Sequence, residues 1–251
     1  MAEDADREPV LASFLYEVVL NNATLEDALS FHLASKLESS TISAISLRDL
    51  MNEAFLNDRY IHEAMREDIG AVCTRDPACR GLSSILLYYK GYHALQSYRV
   101  AHYFWNQNRR SLAQYLQSRI SEVFAVDIHP AARIGCGILI DHATSVVIGE
   151  TAVVEDNVSM LHEVTLGGTG KERGDRHPKI RSGVLISAGA KILGNVEVGE
   201  GAKIGGGAVV LEDVAPHTTV VGVPAKVVGS PKHDQPALEM NHQIKENGES
   251  G

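Results

Sequence analysis

The feature that most constrains this chain is a repeat of six in its second half. Aliphatic residues fall at Ile128, Ile134 and Ile140, return at Ile148, Val154, Met160 and Leu166, and continue through Ile180, Ile186, Ile192, Val198, Ile204 and Val210. Four residues after many of these anchors stands a small or β-branched side chain, as at Ala132, Thr144, Ala152, Val158, Val184, Ala190, Val196, Ala202 and Ala208. A glycine often follows the anchor directly, as at Gly135, Gly149, Gly199 and Gly205. A strand this short cannot bury its own face. It is stabilised only when each anchor stacks on the anchor one coil earlier, three sixes to a triangular coil, which is a parallel β-helix. A sandwich with glycine turns does not easily hold one register through six successive repeats.

The breaks in register carry more information than the repeats. Two extra residues lie between Ile140 and Ile148, beside Asp141 and His142, and eight extra lie between Leu166 and Ile180, carrying Gly167 to Lys179. A solenoid extrudes such insertions as loops on one face, often the binding face.

Before Phe124 glycine is scarce and apolar residues recur at helical spacing. Thr24 precedes Leu25, Ala28, Leu29, Leu33 and Leu37, with Asp27 in the capping-box position. Ser46 precedes Leu47, Leu50, Met51, Ala54 and Phe55, and Ile61 to Val72 is amphipathic up to the break at Thr74-Arg75-Asp76-Pro77. Leu86 to Trp105 and Leu112 to Phe124 read as two further helices, about six in all. The expected organisation is therefore α+β: a helical domain over 1–124, a β-helix over 125–229 with an extruded loop at 167–179, and a polar, disordered tail at 230–251.

Composition narrows the setting. A net charge of -9 disfavours nucleic acid or anionic lipid as the main partner, because both reward basic patches. Met1 to Pro9 has no charged-then-apolar signal pattern, and no apolar run approaches the length of a membrane span. Cys73, Cys79 and Cys136 are an odd set without ligand-like pairing, which suits a reduced cytoplasmic protein and disfavours a zinc site or structural disulfide.

Among the residues able to do chemistry, His142 adjoins the first register break and suits a general base, since its ordinary pKa is about 6.5. A lone histidine at a coil corner is more often structural. Asp127, fifteen residues earlier and so near one coil away, is a candidate to hold the imidazole tautomer. Arg176 and His177 lie in the extruded loop, where an arginine suits bidentate recognition of a carboxylate, although spacing alone favours a solvated loop charge. Gly167-Gly168-Thr169-Gly170 offers free backbone amides, a weak signal by itself. Asp76-Pro77, taken alone, reads as a turn between helices. His129, His162 and His217 have no evident partner.

These residues together resemble the serine acetyltransferase family. The resemblance is carried by Asp127-Ile128-His129-Pro130-Ala131-Ala132, Asp141-His142-Ala143-Thr144, Gly149-Glu150-Thr151-Ala152, and most specifically by Val164 to Lys171 followed by Gly174 to Ile180. Thr74 to Ala78 and Tyr89 to Gln96 also fit, so it extends from about Leu11 to Gly229. It implies a left-handed β-helix and transfer of acetyl from acetyl-CoA to the L-serine hydroxyl, the first step of cysteine synthesis. By the same resemblance His142 is the base and Asp127 its orienter, with attack direct because no Ser or Cys sits beside the base as a nucleophile. Asp76, Pro77, Asp141, Glu150, Arg176 and His177 form the serine site, with Arg176 on the carboxylate and the acids near the ammonium. Gly168, Thr169, Ala188, Gly189, Lys203 and Gly206 lie along the acetyl-CoA groove, between adjacent β-helices, and no metal is expected. The family habit is a trimer through the β-helix, paired into hexamers through the helical domain, with L-cysteine inhibiting at the serine site. Many bacterial members end in an isoleucine that enters O-acetylserine sulfhydrylase. This sequence ends Lys245 to Gly251 without one, which puts that partnership in doubt.

Three rival readings remain at this stage. One is a hexapeptide acetyltransferase with a homoserine or sugar acceptor, against which the extruded loop and Asp76 argue. Another is a β-helical zinc enzyme of the γ-carbonic-anhydrase type, for which His142 and His162 are one coil apart but lack a third histidine. The last is a trimerising scaffold, which leaves the His142, Asp127 and loop constellation unexplained.

Overall fold

In the computed structural model, which describes residues 2–170 and 173–244, the change of period near Phe124 is a change of fold. Among the described residues eight α-helices precede it: α1 (Ala2–Arg7), α2 (Pro9–Leu15), α3 (Leu25–Leu37), α4 (Ala44–Asn57), α5 (Arg59–Arg75), α6 (Leu82–Tyr88), α7 (Lys90–Asn106) and α8 (Arg110–Phe124). A π-helical turn, Tyr16–Leu20, follows α2. Thr24 caps α3 as its sequence implies, accepting from the Asp27 amide at 3.1 Å. Helix α4 starts earlier than expected, because the cap is Ser43, which accepts from the Ser46 amide.

The expected single helix from Leu86 to Trp105 is two helices. Tyr89 leaves helical geometry, and α7 restarts directly against the β-helix. Contact there is so close that a Cβ on Gly91 would lie 2.0 Å from the Ile140 carbonyl oxygen. Only glycine lets α7 begin at that distance.

The β-helix has three parallel sheets, one for each side of the coil. The first stacks Val126–Ile128, Val146–Ile148, Thr165–Gly167, Lys191–Leu193 and Val209–Val210. The second stacks Arg133–Ile134, Val153–Val154, Lys179–Ile180 and Glu197–Val198. The third stacks Leu139–Ile140, Ser159–Met160, Leu185–Ile186, Lys203–Ile204 and Thr219–Val221, closed at its edge by the antiparallel Lys226–Gly229. Register follows the anchors: Ile128 pairs with Ile148, Ile148 with Leu166, Leu166 with Ile192 and Ile192 with Val210. The extra residues leave at the corners, and the anchors themselves are buried.

Residues 230–244, expected to be disordered, are instead packed on the third sheet. A short helix, α9 (Pro236–Glu239), buries Ala237, whose carbonyl accepts from Ser159 Oγ at 2.8 Å. Ser187 Oγ meets His242 Nδ1 at 2.9 Å, and Lys203 Nζ donates to the Gln243 carbonyl at 2.6 Å. The tail is polar, but the sheet beneath it offers polar side chains that need partners once covered, and the tail supplies them through two backbone carbonyls and the His242 ring. Residues 245–251 lie outside the described residues, and with them the expectation concerning a terminal isoleucine. No helix among the described residues is long and apolar enough to cross a membrane.

The two domains are joined by a buried ion pair. Asp68 on α5 accepts from Arg99 on α7 at 2.7 and 3.0 Å, from Gln96 at 2.8 Å, and from the Ile138 amide of the first coil at 2.9 Å. Arg99 donates onward to the Gly135 carbonyl at 2.7 Å. Burial pushes the Asp68 carboxyl up, opposed first by the Arg99 charge, so the carboxylate depends on that partner. Asp68→Ala strands the guanidinium in the interior. Urea unfolding is expected to show a loss of ~3–5 kcal/mol, whereas an Arg66→Ala control at the half-exposed pair with Glu26 should lose at most ~1 kcal/mol.

Candidate active site

The first register break makes a tight corner between the third and first sheets. His142, Ala143 and Ser145 all have left-handed backbones, with φ of 55°, 58° and 62°. Non-glycine residues take that conformation only when their surroundings impose it. Here Ser145 donates to the Ala125 carbonyl at 2.7 Å and Thr144 receives Lys90 Nζ from α7. The His142 imidazole is projected outward, 74% exposed, with Nε2 3.7 Å from Asp141 Oδ2. The His162 ring, one coil on, lies edge-on to it at 5.9 Å.

Directly above this corner the coil backbones form a column. Gly189 donates to the His162 carbonyl at 3.0 Å, and Gly207 to the Ala188 carbonyl at 2.9 Å. Ala188, Gly189 and Gly206, assigned by resemblance to the coenzyme groove, thus continue the line that begins at His142. A column with little side chain leaves room for an extended ligand beside it. Lys203 is buried on the adjoining sheet, with its ammonium on the Gln243 carbonyl.

Asp76 reaches the same corner from the helical domain. It caps α5, its amide donating to the Val72 carbonyl and its Oδ1 accepting from Ala78, with Pro77 as the next residue of the turn. Tyr89, which sequence reasoning did not single out as a site residue, lies against both Asp76 and Asp141. Burial and then the Asp76 contact push its phenol up to about 12.

A second cluster occupies the opposite corner, between the first and second sheets. Arg176 Nη2 donates to Glu150 at 2.7 Å, and the guanidinium holds that carboxyl below its ordinary range. Thr151 Oγ1 accepts from the amides of both Arg176 and His177 and meets His177 Nδ1 at 2.9 Å. The His177 ring lies on bare backbone: a Cβ on Gly149 would stand 2.0 Å from it. Gly168 sits beneath the pair, and Thr169 touches Gly194. Burial lowers the pKa of both His177 and His129. Thr151 was not singled out, since neither spacing nor composition distinguishes a loop-anchoring hydroxyl. His129 was left without a partner because Glu150 and Arg176, whose charges it feels, come from other coils.

One pairing expected from spacing does not occur within the protomer. Asp127 stands fifteen residues from His142, but the first coil holds twenty, so Asp127 pairs laterally with Val147. Its Oδ1 accepts from Gln117 of α8 at 2.7 Å, and its charge acts on His129 of the second cluster. One chain therefore carries the site residues in two groups. Asp76, Asp141, His142, Ala188, Gly189 and Gly206 flank one edge of the first sheet, and Glu150, Gly168, Thr169, Arg176 and His177 flank the other. At ~3.3 Å per extended residue the edges are on the order of 15–20 Å apart. Among the described residues no three His, Cys, Asp or Glu side chains cluster as a metal site would require.

An outward imidazole beside a groove of bare backbone on a β-helix defines a hexapeptide-repeat acyltransferase. Family models agree: the serine acetyltransferase N-terminal model matches residues 1–97, and the bacterial transferase hexapeptide model, six repeats, matches 177–212. The Escherichia coli (strain K12) serine acetyltransferase is 57% identical over 240 residues, 96% of this chain and 88% of that protein. A solved serine acetyltransferase complex with cysteine superposes with a TM-score of 0.94 at 55% identity, over 97% of this chain and 95% of that one. The Brucella abortus enzyme in complex with coenzyme A does so with a TM-score of 0.90 at 52% identity, over 91% and 92%. This chain belongs to the serine acetyltransferase family, and its solenoid is that family's left-handed β-helix of hexapeptide repeats.

The Gly149 contact gives a test of the second cluster. Gly149→Ala is expected to displace the His177 ring and raise the Michaelis constant for serine several-fold, leaving that for acetyl-CoA within about twofold. Circular dichroism should be unchanged. An unaltered serine constant would mean that His177 does not meet that substrate.

Proposed function

We propose that the two clusters, contributed by neighbouring protomers of a trimer, form one site that transfers acetyl from acetyl-CoA to the hydroxyl of L-serine. The observation that carries this reading is the split itself. The base and the groove lie on one edge of the first sheet, and the carboxylate-binding arginine lies on the other. Neither half is sufficient alone, and rotation about a threefold axis parallel to the coil brings unlike edges of neighbouring copies together.

In the assembled site Arg176, held by Glu150 and backed by His177, receives the serine carboxylate as a bidentate partner. Asp76 and Asp141 face the ammonium. His142 takes the hydroxyl proton as the serine oxygen attacks the thioester carbonyl. The tetrahedral intermediate then collapses, the C–S bond breaks, and the imidazolium returns its proton to the departing coenzyme thiolate. Asp127 belongs to the second cluster and in this arrangement approaches His142 from the neighbour, where it orients the ring. Acetyl-CoA lies along Ala188, Gly189 and Gly206 of one protomer and Gly168 and Thr169 of the next, with Lys203 nearby. L-Cysteine shares the ammonium and carboxylate of serine, so the same groups accept it as a competing inhibitor, a reading supported by the relative's complex with cysteine. A cytoplasmic setting is part of the proposal and is supported by three free thiols.

Two measurements decide it. His142→Ala should lower turnover by about 10²–10⁴-fold with coenzyme affinity retained. A thiol-release assay on co-refolded mixtures then tests the shared site. Equal amounts of inactive His142→Ala and Arg176→Ala chains, assorting at random, should recover about one quarter of wild-type activity, because each intact site needs one edge from each chain. No recovery would place the whole site within one protomer.

A further inference from the structure

Arg75 ends α5 and immediately precedes Asp76, yet its side chain leaves the helical domain. It is 7% exposed. Nη1 donates to Ser159 Oγ at 3.1 Å and Nη2 to Asn157 Oδ1 at 3.0 Å, both in the second coil of the β-helix. Among the described residues no carboxylate forms an ion pair with the guanidinium. Asp68, the acid whose charge it feels, already accepts from Arg99, Gln96 and Ile138. Arg75 Nε is buried without a partner among the described residues, and burial pulls this arginine down to about 10. A buried cation held only by neutral acceptors is an unfavourable way to stabilise a fold. A different role accounts for it better.

That role is geometric. Ser159–Met160 pairs in register with Leu139–Ile140, and the Asp141 amide donates to the Met160 carbonyl at 2.8 Å. The acceptor of Arg75 is thus one strand away from the segment that ends in Asp141 and His142. Ser159 Oγ donates its hydroxyl hydrogen to the Ala237 carbonyl, so its one hydrogen is committed and a lone pair is left to accept from Arg75.

We infer that Arg75 is a positioning residue for serine recognition, fixing the separation between Asp76 on the helical domain and Asp141-His142 on the β-helix. The inference rests on the serine site proposed above. Arg75 does not touch substrate. It acts by holding the end of α5 on the wall that carries the base, so that the two acids face one ammonium.

The test is steady-state kinetics on Arg75→Met, Arg75→Lys and Ser159→Ala, beside Asp76→Asn. Arg75→Met keeps an unbranched apolar stem and removes the guanidinium with its bonds to Ser159 and Asn157. It should raise the serine Michaelis constant about tenfold, with that for acetyl-CoA within about twofold. Lysine reaches one acceptor but not both and should give an intermediate value. Ser159→Ala removes one of the two Arg75 contacts, together with the hydroxyl's bond to the Ala237 carbonyl, and should raise the serine constant about threefold, which keeps the inference testable if Arg75→Met does not fold. An unchanged serine constant in the folded variants overturns it, as does a parallel rise in both constants, the result of simple domain loosening. The Asp76→Asn result separates the two ideas. Serine use insensitive to Asp76 removes the site reading itself, whereas sensitivity to Asp76 with indifference to Arg75 removes only the positioning role.

Discussion

Everything in the second half of this molecule depends on the stacking of one aliphatic anchor on another. The Ile128, Ile148, Leu166, Ile192 and Val210 ladder is buried along its length, and each short strand gains most of its stabilisation from the coils above and below. Such a ladder cannot absorb a slip, because moving one residue along would turn the anchor outward. Added residues must therefore leave at a corner. Two corners received them, and those two corners hold the groups that can do chemistry. The tightest insertion forces three non-glycine residues into left-handed backbone and aims His142 outward. The longer one carries Arg176 and His177 back onto the bare backbone of Gly149.

The helical domain is fixed to this ladder by charge as well as by packing. Asp68 and Arg99 are both removed from water and satisfy one another and the first coil together. A pair of that kind is a weak source of net stability but tolerates few alternative arrangements. Gly91 acts in the same direction by steric means, since any other residue would lift α7 from Ile140. The consequence bears on function: Tyr89 lies between Asp76 of the helical domain and Asp141 of the β-helix and feels both acids.

Much of this was legible in the sequence, for identifiable reasons. Period six and its two breaks are local patterns that a solenoid cannot hide, so the β-helix and both site loops followed from the anchors alone. Thr24 with Asp27 marked its helix through a cap that needs only three residues. Ser43 was harder, because Ser46 carries the same hydroxyl and stands nearer the apolar run. The break at Tyr89 was not visible, since its cause is the approach of Ile140 from the other domain. The tail was misread because its composition is that of a disordered segment, while its partners, Ser159, Ser187 and Lys203, are polar groups on a distant sheet. Asp127 was placed beside His142 of its own chain by counting eighteen residues to a coil that holds twenty.

That last miscount has a larger consequence. A carboxylate fifteen residues from a histidine looked like a partner in the same chain, and the geometry of one chain denies it. Asp127 instead keeps company with His129, Glu150 and Arg176 on the far edge of the first sheet. A β-helix is rigid along its axis and across its faces, so no local motion brings the two edges together. On the proposed reading the edges meet between copies and oligomerisation is part of the catalytic apparatus. The rigidity that keeps the two clusters apart within one chain is then also what would set their spacing across an interface. The helical domain contributes Asp76 to only one edge, which is why a contact such as that of Arg75 with Ser159 matters. Among the described residues it is the polar tie beside Asp76 that reaches the strand pair leading to His142.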